Sequence, residues 1–544
     1  MPPTRLVGVL AALVVAHSPA SAPPVNSLLP WHRAALDGGG KLVAWYHPER
    51  NLGYDRVLRL GWRFLEREVP VDRRAGVKVY LAYAVFEGKP PRGGYWQHNP
   101  AFLYASIVDS LVAWYPYSGD RRAISVVRSM LDYHLAHGMT PKRWSWGHVP
   151  FSTSCAGERE YGRCLVDTPP RFYGGIEPDK VGLLGLGYLR SWELTGERRY
   201  LGAALDAANA LARHVRAGDA GRTPWPFRVD ARTGAVIGGA QYGGMVVGPV
   251  QLLDELIRLR LGATAVYERA RVLAWRWLLR YPLNPASSAW NRWSGFYEDV
   301  PYNPASRNQV PPTMTAYYLL THEAPDGIDP AWRDHSRRLI DWVRSSFGRG
   351  PFFGAVAIDE QRAPGRPGCC SPAGLGSDTS RWGAVNALLY AQTGDKRARE
   401  DAFRALNYAT YFTREDGRVS CCGRRPHNEY WFSDGYGDYL RSFNWAMSAI
   451  PELAPRGADH LLGSTSVVQS VSYGRRRLAY RTFDGRAVET LRLSFRPARV
   501  LVGDRMLARR RDLAAEGYLV RPVGGGDVSV RIRHDHARTI RVEG

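Results

Sequence analysis

Carboxylates set among glycines and aromatic rings are the residues of this chain best placed to do chemistry. Glu177 follows Gly174-Gly175-Ile176, Glu298 and Asp299 sit in GFYEDVPY, Glu429 in HNEYWF and Asp434 in YWFSDGYG. Such neighbours leave room for a ligand, and apolar ones raise a carboxyl's affinity for its proton. A protonated carboxyl that donates to a leaving oxygen, with a second carboxylate that activates water or attacks carbon, is the equipment for breaking a glycosidic bond. Glu177 and Asp434 are the expected acid and base pair, with Glu298 and Glu429 next. Their spacing does not assign which is the acid. Asp179, Asp378 and Asp438 belong to the same segments but fall within a residue or two of expected helix starts, where a carboxylate also serves as a cap or complements the helix dipole.

Rings and cations gather in the same places. Trp96, Tyr173, Tyr242, Tyr297, His427, Tyr430, Trp431 and Tyr436 lie in loops rather than at helical spacing, and are expected as surfaces for binding a sugar ring. His427 or Tyr436 acting as a base, with Arg424, Arg425 or Arg441 holding a carboxylate, would instead serve elimination beside a uronate. A lyase on an acidic glycan therefore stands as the alternative.

A repeat supplies the frame for these loops. SGDRRAISVVRSMLDYHLAHG from Ser118, TGERRYLGAALDAANALARHV from Thr195 and TGDKRAREDAFRALNYATYFT from Thr393 share a Gly-acid turn, an Arg and an amphipathic helix. Before them, residues 100–115, 178–194 and 379–392 are apolar nearly all round, which requires burial on both sides. Two weaker copies pair residues from Gly244 with those from Val266, and residues from Pro312 with those from Ala331. An inner-type helix from Gly437 lacks an outer partner, and an outer-type helix from Tyr54 lacks an inner one, so the two ends complete each other. The expectation is an (α/α)6 toroid over 23–450. The segments entering the six inner helices then share one rim, and they carry the acids and rings named above. After a connector at 451–460, short β-rich runs with Gly or Asp turns over 461–544 predict a small antiparallel β-sandwich.

This pattern of helices and SGD/TGE/TGD turns, over residues of about 50 to 450, resembles the six-hairpin glycosidase superfamily. The resemblance implies a substrate funnel beside the starts of the inner helices, within a group that spans hydrolases, epimerases and, in related toroids, lyases.

The six cysteines form three local pairs. Cys155 and Cys164 close a ten-residue loop and are expected as a disulfide, the default for an exported chain. Cys369-Cys370 and Cys421-Cys422 precede neighbouring inner helices. A single bridge between these vicinal pairs is one reading, since adjacent side chains of extended backbone point to opposite faces. Around Cys421-Cys422 the chain also resembles the β-L-arabinofuranosidase family, which implies zinc held by Cys370, Cys421 and Cys422. That family's Glu-x-Cys is absent here, because Pro367-Gly368 precede Cys369.

Composition narrows the setting. Residues 1–22, with Arg5, an apolar run and Ala20-Ser21-Ala22, read as a secretory signal peptide, so a secreted or periplasmic protein is expected. No later run approaches the roughly 20 apolar residues that span a bilayer. The formal charge of +22 is spread along the chain with no nucleic-acid reader motif, so neither nucleic acid nor membrane is an expected partner. The sequence reads as a carbohydrate-active enzyme, a glycoside hydrolase on a poly- or oligosaccharide first, a polysaccharide lyase on an acidic glycan second and a non-catalytic glycan-binding protein third. No cofactor is expected apart from the zinc alternative.

Overall fold

The computed structural model describes residues 28–71, 76–78, 85–87, 92–94, 100–152, 174–296, 302–362, 373–420 and 435–544. Helix α1 (Leu52–Arg63) runs into a π-helical turn over Phe64–Glu68. Five hairpins follow: α2 (Pro100–Ser118) with α3 (Arg122–His137), α4 (Pro178–Thr195) with α5 (Arg198–His214), α6 (Val247–Arg258) with α7 (Thr264–Arg280), α8 (Val310–Thr321) with α9 (Trp332–Phe347), and α10 (Gly376–Thr393) with α11 (Lys396–Thr410). A π-helical turn over Gly435–Leu440, continued by α12 (Arg441–Ala449), is the last inner element.

Burial separates the two classes of helix as their sequences require. Helix α4 is buried almost throughout, whereas α5 buries one stripe that includes Ala203, Ala204, Ala207 and Leu211. Each even-numbered helix packs on the next, from α2 through α4, α6, α8 and α10 to α12, which returns to α2; α1 packs on α11 and on the last π turn. The ring therefore closes chain start against toroid end, as the unpaired helices predict.

Two uses of glycine hold the hairpins in place. In the TGE and TGD turns Gly196 and Gly394 take φ of +77° and +73° and cap α4 and α10 in the left-handed region that other residues avoid. The acid that follows anchors the outer helix, as where Asp395 accepts from the backbone N–H groups of Arg397 and Ala398. Gly182, by contrast, permits close approach: a Cβ there would lie 2.5 Å from the Pro249 nitrogen, so α4 and α6 touch near their starts.

Beyond the toroid come nine strands, β1 (His460–Ser464), β2 (Val468–Gly474), β3 (Arg477–Thr482), β4 (Ala487–Leu493), β5 (Arg499–Val502), β6 (Arg505–Met506), β7 (Gly517–Pro522), β8 (Val528–His534) and β9 (Thr539–Glu543). They form a four-stranded sheet, β1-β4-β8-β7, and a five-stranded sheet, β2-β3-β9-β5-β6. Leu478, Tyr480, Val500, Ile540 and Val542 from one sheet meet Leu491, Val530 and Ile532 from the other in a common core.

The connector between the units is stitched down. The buried Arg492 pairs with Asp527 at 2.9 Å and donates to the carbonyls of Pro451, Glu452 and Ala454. The sandwich docks at the far ends of the inner helices. His460 stacks on Tyr117 with ring centroids 4.1 Å apart, Gln469 donates to the Glu193 carbonyl, and Asp484 pairs with Arg258. It thus packs on the rim opposite the starts of the inner helices.

Candidate active site

One part of the inner-helix-start rim is built on α4. Gly175 and Ile176 pair with Asp230 and Val229 in a short antiparallel ladder, and one step further along that register brings Arg228 opposite Glu177. Glu177 then takes an extended conformation at the N-cap of α4, with Pro178 at the first helical position. Its side chain turns away from the cap: Arg228 Nε donates to Oε1 at 2.8 Å and Lys180 Nζ lies 3.2 Å from Oε2. Lys180 also reaches Asp179 Oδ2 at 2.8 Å and donates to the Phe296 carbonyl. Phe296 and Phe227 lie under the ammonium, their centroids 4.2 and 5.0 Å away.

Two carboxylates and two cations are buried together here. Glu177, Lys180 and Arg228 have side chains 1% exposed and Asp179 7%. Ions so far from water persist only because each has an opposite charge within reach. Asp179 keeps unused capacity, because its Oδ1 is buried and has no hydrogen-bond partner among the described residues. The same residue lines a small cavity, about the size of one water molecule, with Trp225, Pro226, Gly243, Met245, Val246 and Pro249. Burial raises the Asp179 carboxyl above its ordinary value; the Lys180 ammonium opposes that shift and the Glu177 charge adds to it.

A second ionic group runs along the ring axis. Arg381 of α10 bonds Asp378 at 2.9 Å, pairs with Asp438 and reaches Gln309 at 3.3 Å. Arg441 continues the chain to Asp438 at 2.7 Å and Asp109 at 3.1 Å, and Asp109 meets Arg190 at 3.0 Å. Asp179, Asp378 and Asp438 therefore spend their carboxylates on cations, which replaces the capping role that their positions suggest. Arg441, a candidate for holding a substrate carboxylate, is instead occupied by two aspartates of the chain.

Among the expected stacking rings, Tyr242 and Tyr436 are described, and both belong to the interior. Tyr242 is fully buried, donates its hydroxyl to the Arg292 carbonyl at 2.7 Å, meets Trp277 edge-on and has the Arg292 guanidinium 4.3 Å from its centroid. Tyr436 is 2% exposed beside α2, where Ser110 donates to its carbonyl. Neither ring offers an open face to a sugar, a correction to their assignment as platforms. Trp96, Tyr173, Tyr297, Glu298, His427, Glu429, Tyr430, Trp431 and Asp434 lie outside the described residues, as do Cys155, Cys164, Cys369, Cys370, Cys421 and Cys422. Among the described residues no group of three His, Cys, Asp or Glu is set to hold a metal, and no helix is long and apolar enough to cross a membrane.

Lys180, Arg228 and Trp225 are the parts of the rim that sequence reasoning missed. Lys180 had a signal, its i,i+3 spacing from Glu177. Arg228 had none, since it arrives from 51 residues away through the short ladder.

Similarity to known proteins lies in the fold. No family model and no curated protein matches the sequence. Among solved structures, a sugar epimerase from a ruminal bacterium superposes with a TM-score of 0.52 at 7% identity, over 71% of this chain and 98% of its own. A D-mannose isomerase does so with a TM-score of 0.51 at 11% identity, over 72% of this chain and 97% of its own. The protein thus has the six-hairpin toroid that carbohydrate-acting enzymes also use, followed by an antiparallel β-sandwich.

Proposed function

We propose that the protein is a glycoside hydrolase that cleaves a poly- or oligosaccharide at the rim where the inner helices start. The observation that carries this reading is Asp179, a buried carboxyl with raised proton affinity and an oxygen unpartnered among the described residues, set beside a cavity. A carboxyl in that setting suits donation of a proton to a leaving oxygen. Glu177, with cations on both oxygens, holds Lys180 beside Asp179 and becomes a positioning residue. The second carboxylate is drawn from Glu298, Glu429 and Asp434, on the segments that lead into α8 and α12. An exported setting, read from residues 1–22, belongs to the same proposal.

Incubation of the purified protein with neutral and acidic polysaccharides tests it through the release of new reducing ends. Release that Asp179→Asn abolishes is the expected result. A product absorbing in the ultraviolet band of an unsaturated uronate would replace hydrolysis with elimination, and retention on a polysaccharide without any new ends would leave a binding protein. A second reading, interconversion of a free sugar by proton transfer at carbon, draws on the epimerase and the isomerase that share the toroid. Proton exchange at a sugar carbon in deuterated water, without bond cleavage, would favour it.

A further inference from the structure

The β-sandwich holds a larger share of the positive charge than its size warrants. Residues 461–544 contain seventeen Arg and no Lys against eight Asp and Glu. Register places part of that excess on one surface. In the four-stranded sheet Val528, Val530 and Ile532 of β8 face the core, so Ser529, Arg531 and Arg533 project outward. Ladder pairing sets Arg521 opposite Ser529, Leu519 opposite Arg531 and Gly517 opposite Arg533. On the other side of β8, Arg492 is opposite Ser529 and Thr490 opposite Arg531. Arg510 lies over Gly517, where a Cβ would fall 2.7 Å from its Cδ. This face thus carries a row of guanidinium groups, of which Arg492 is buried beneath the connector and Arg521 and Arg531 are open to solvent.

Most of these have partners in the chain. Arg492 is held by Asp527, Arg533 by Asp535, and Arg510 by the Glu516 carbonyl. Arg521 and Arg531 are exposed, adjacent on one face and, among the described residues, without a carboxylate. Partial desolvation and the Arg521 charge lower the Arg531 guanidinium from its ordinary value. Like charges placed side by side repel unless an anion joins them.

We propose that the outer face of the four-stranded sheet binds a linear acidic polysaccharide, with Arg521 and Arg531 bridged by its carboxylate or sulfate groups. Guanidinium forks match both anions bidentately. No Phe, Tyr or Trp of β4, β7 or β8 projects onto this face, since Tyr518 belongs to the core. It therefore lacks the rings on which single-stranded bases stack. That the polyanion is a sugar rests on the proposed function; that the face binds an anion does not.

The test measures binding of the full-length protein to heparin, polygalacturonate, dextran and a short DNA duplex over a range of salt. Expected are salt-sensitive binding to heparin or polygalacturonate, none to dextran, and a loss of about tenfold in the Arg521→Ser/Arg531→Ser double variant. Arg481→Ser/Arg499→Ser, which removes equal charge from the five-stranded sheet, should retain binding. Equal losses in the two double variants, or unchanged binding in the first, would overturn the site. DNA bound as tightly as heparin, with the same loss in Arg521→Ser/Arg531→Ser, would overturn the choice of a sugar partner. Both variants change exposed side chains, and an unaltered melting curve confirms that each folds. Release of reducing ends is scored separately, so failure of the site and failure of the hydrolase reading are distinct results.

Discussion

Asp179 and Asp438 begin alike and end differently. Each lies at the start of an inner element, buried and beside a cation from its own helix. Asp438 is closed: Oδ1 meets Arg441 at 2.7 Å, and Oδ2 meets Arg381. Asp179 gives one oxygen to Lys180 and leaves the other without a partner among the described residues, next to a cavity lined by Trp225 and Met245. Depth and charge are shared, so they do not distinguish a reactive carboxyl from a structural one. What differs is unused hydrogen-bonding capacity, which is costly to leave unmet in the interior.

The sharpest way to break that contrast is to neutralise the open acid. Asp179→Asn keeps the shape and the contact with Lys180 but removes the transferable proton, and should lower turnover by about 10²–10⁴-fold. Its melting temperature should change little, so a variant that unfolds while losing activity would return Asp179 to the structural class. Arg381→Met makes the opposite cut. It leaves Asp378 and Asp438 buried without their shared cation, at a cost of about 3–5 kcal/mol in denaturant unfolding. A loss below about 1 kcal/mol would mean that the axial chain does not hold the ring as described.

Much of the frame was readable because it is periodic. Helices apolar on every side can only be inner, the striped ones outer, and the Gly-acid turns join them. The rim acids were visible through their glycine and aromatic neighbours. Packing across the fold left no such mark. Tyr242 in GGAQYGGM reads as an open loop ring, yet Trp277 from α7 and Arg292 cover it. Asp179 reads as a cap because it is one residue inside α4, and only three dimensions show that Lys180 takes one oxygen while the other is left over. Arg228 enters through a two-residue ladder too short to announce itself.

Titration sharpens the comparison further. A carboxyl whose native pKa lies above its unfolded value binds its proton more tightly when folded, so its contribution is complete at low pH and is lost as pH rises toward the native value. Asp179 meets that condition through burial. The wild-type protein should therefore lose stability from the ordinary carboxylate range toward neutrality, by about 1.4 kcal/mol for every tenfold gain in proton affinity on folding. Asp179→Asn should flatten that slope in chemical denaturation across a pH range of about 4 to 8. An unchanged slope would place the titrating group elsewhere.

The smallest effect calibrates the others. Gly394 holds φ at +73° in the turn between α10 and α11, on the rim away from Asp179, and a Cβ there would meet no atom within 4 Å. Gly394→Ala therefore adds backbone strain alone, at about 1 kcal/mol, with no contact altered at the site. Activity below the melting transition should match the wild type while the unfolding midpoint falls. That result fixes how little turnover depends on stability lost elsewhere, and so how much of an Asp179→Asn defect belongs to the proton. If turnover in Gly394→Ala instead drops several-fold, the two rims are mechanically coupled, and the deficit in Asp179→Asn has to be measured against that baseline.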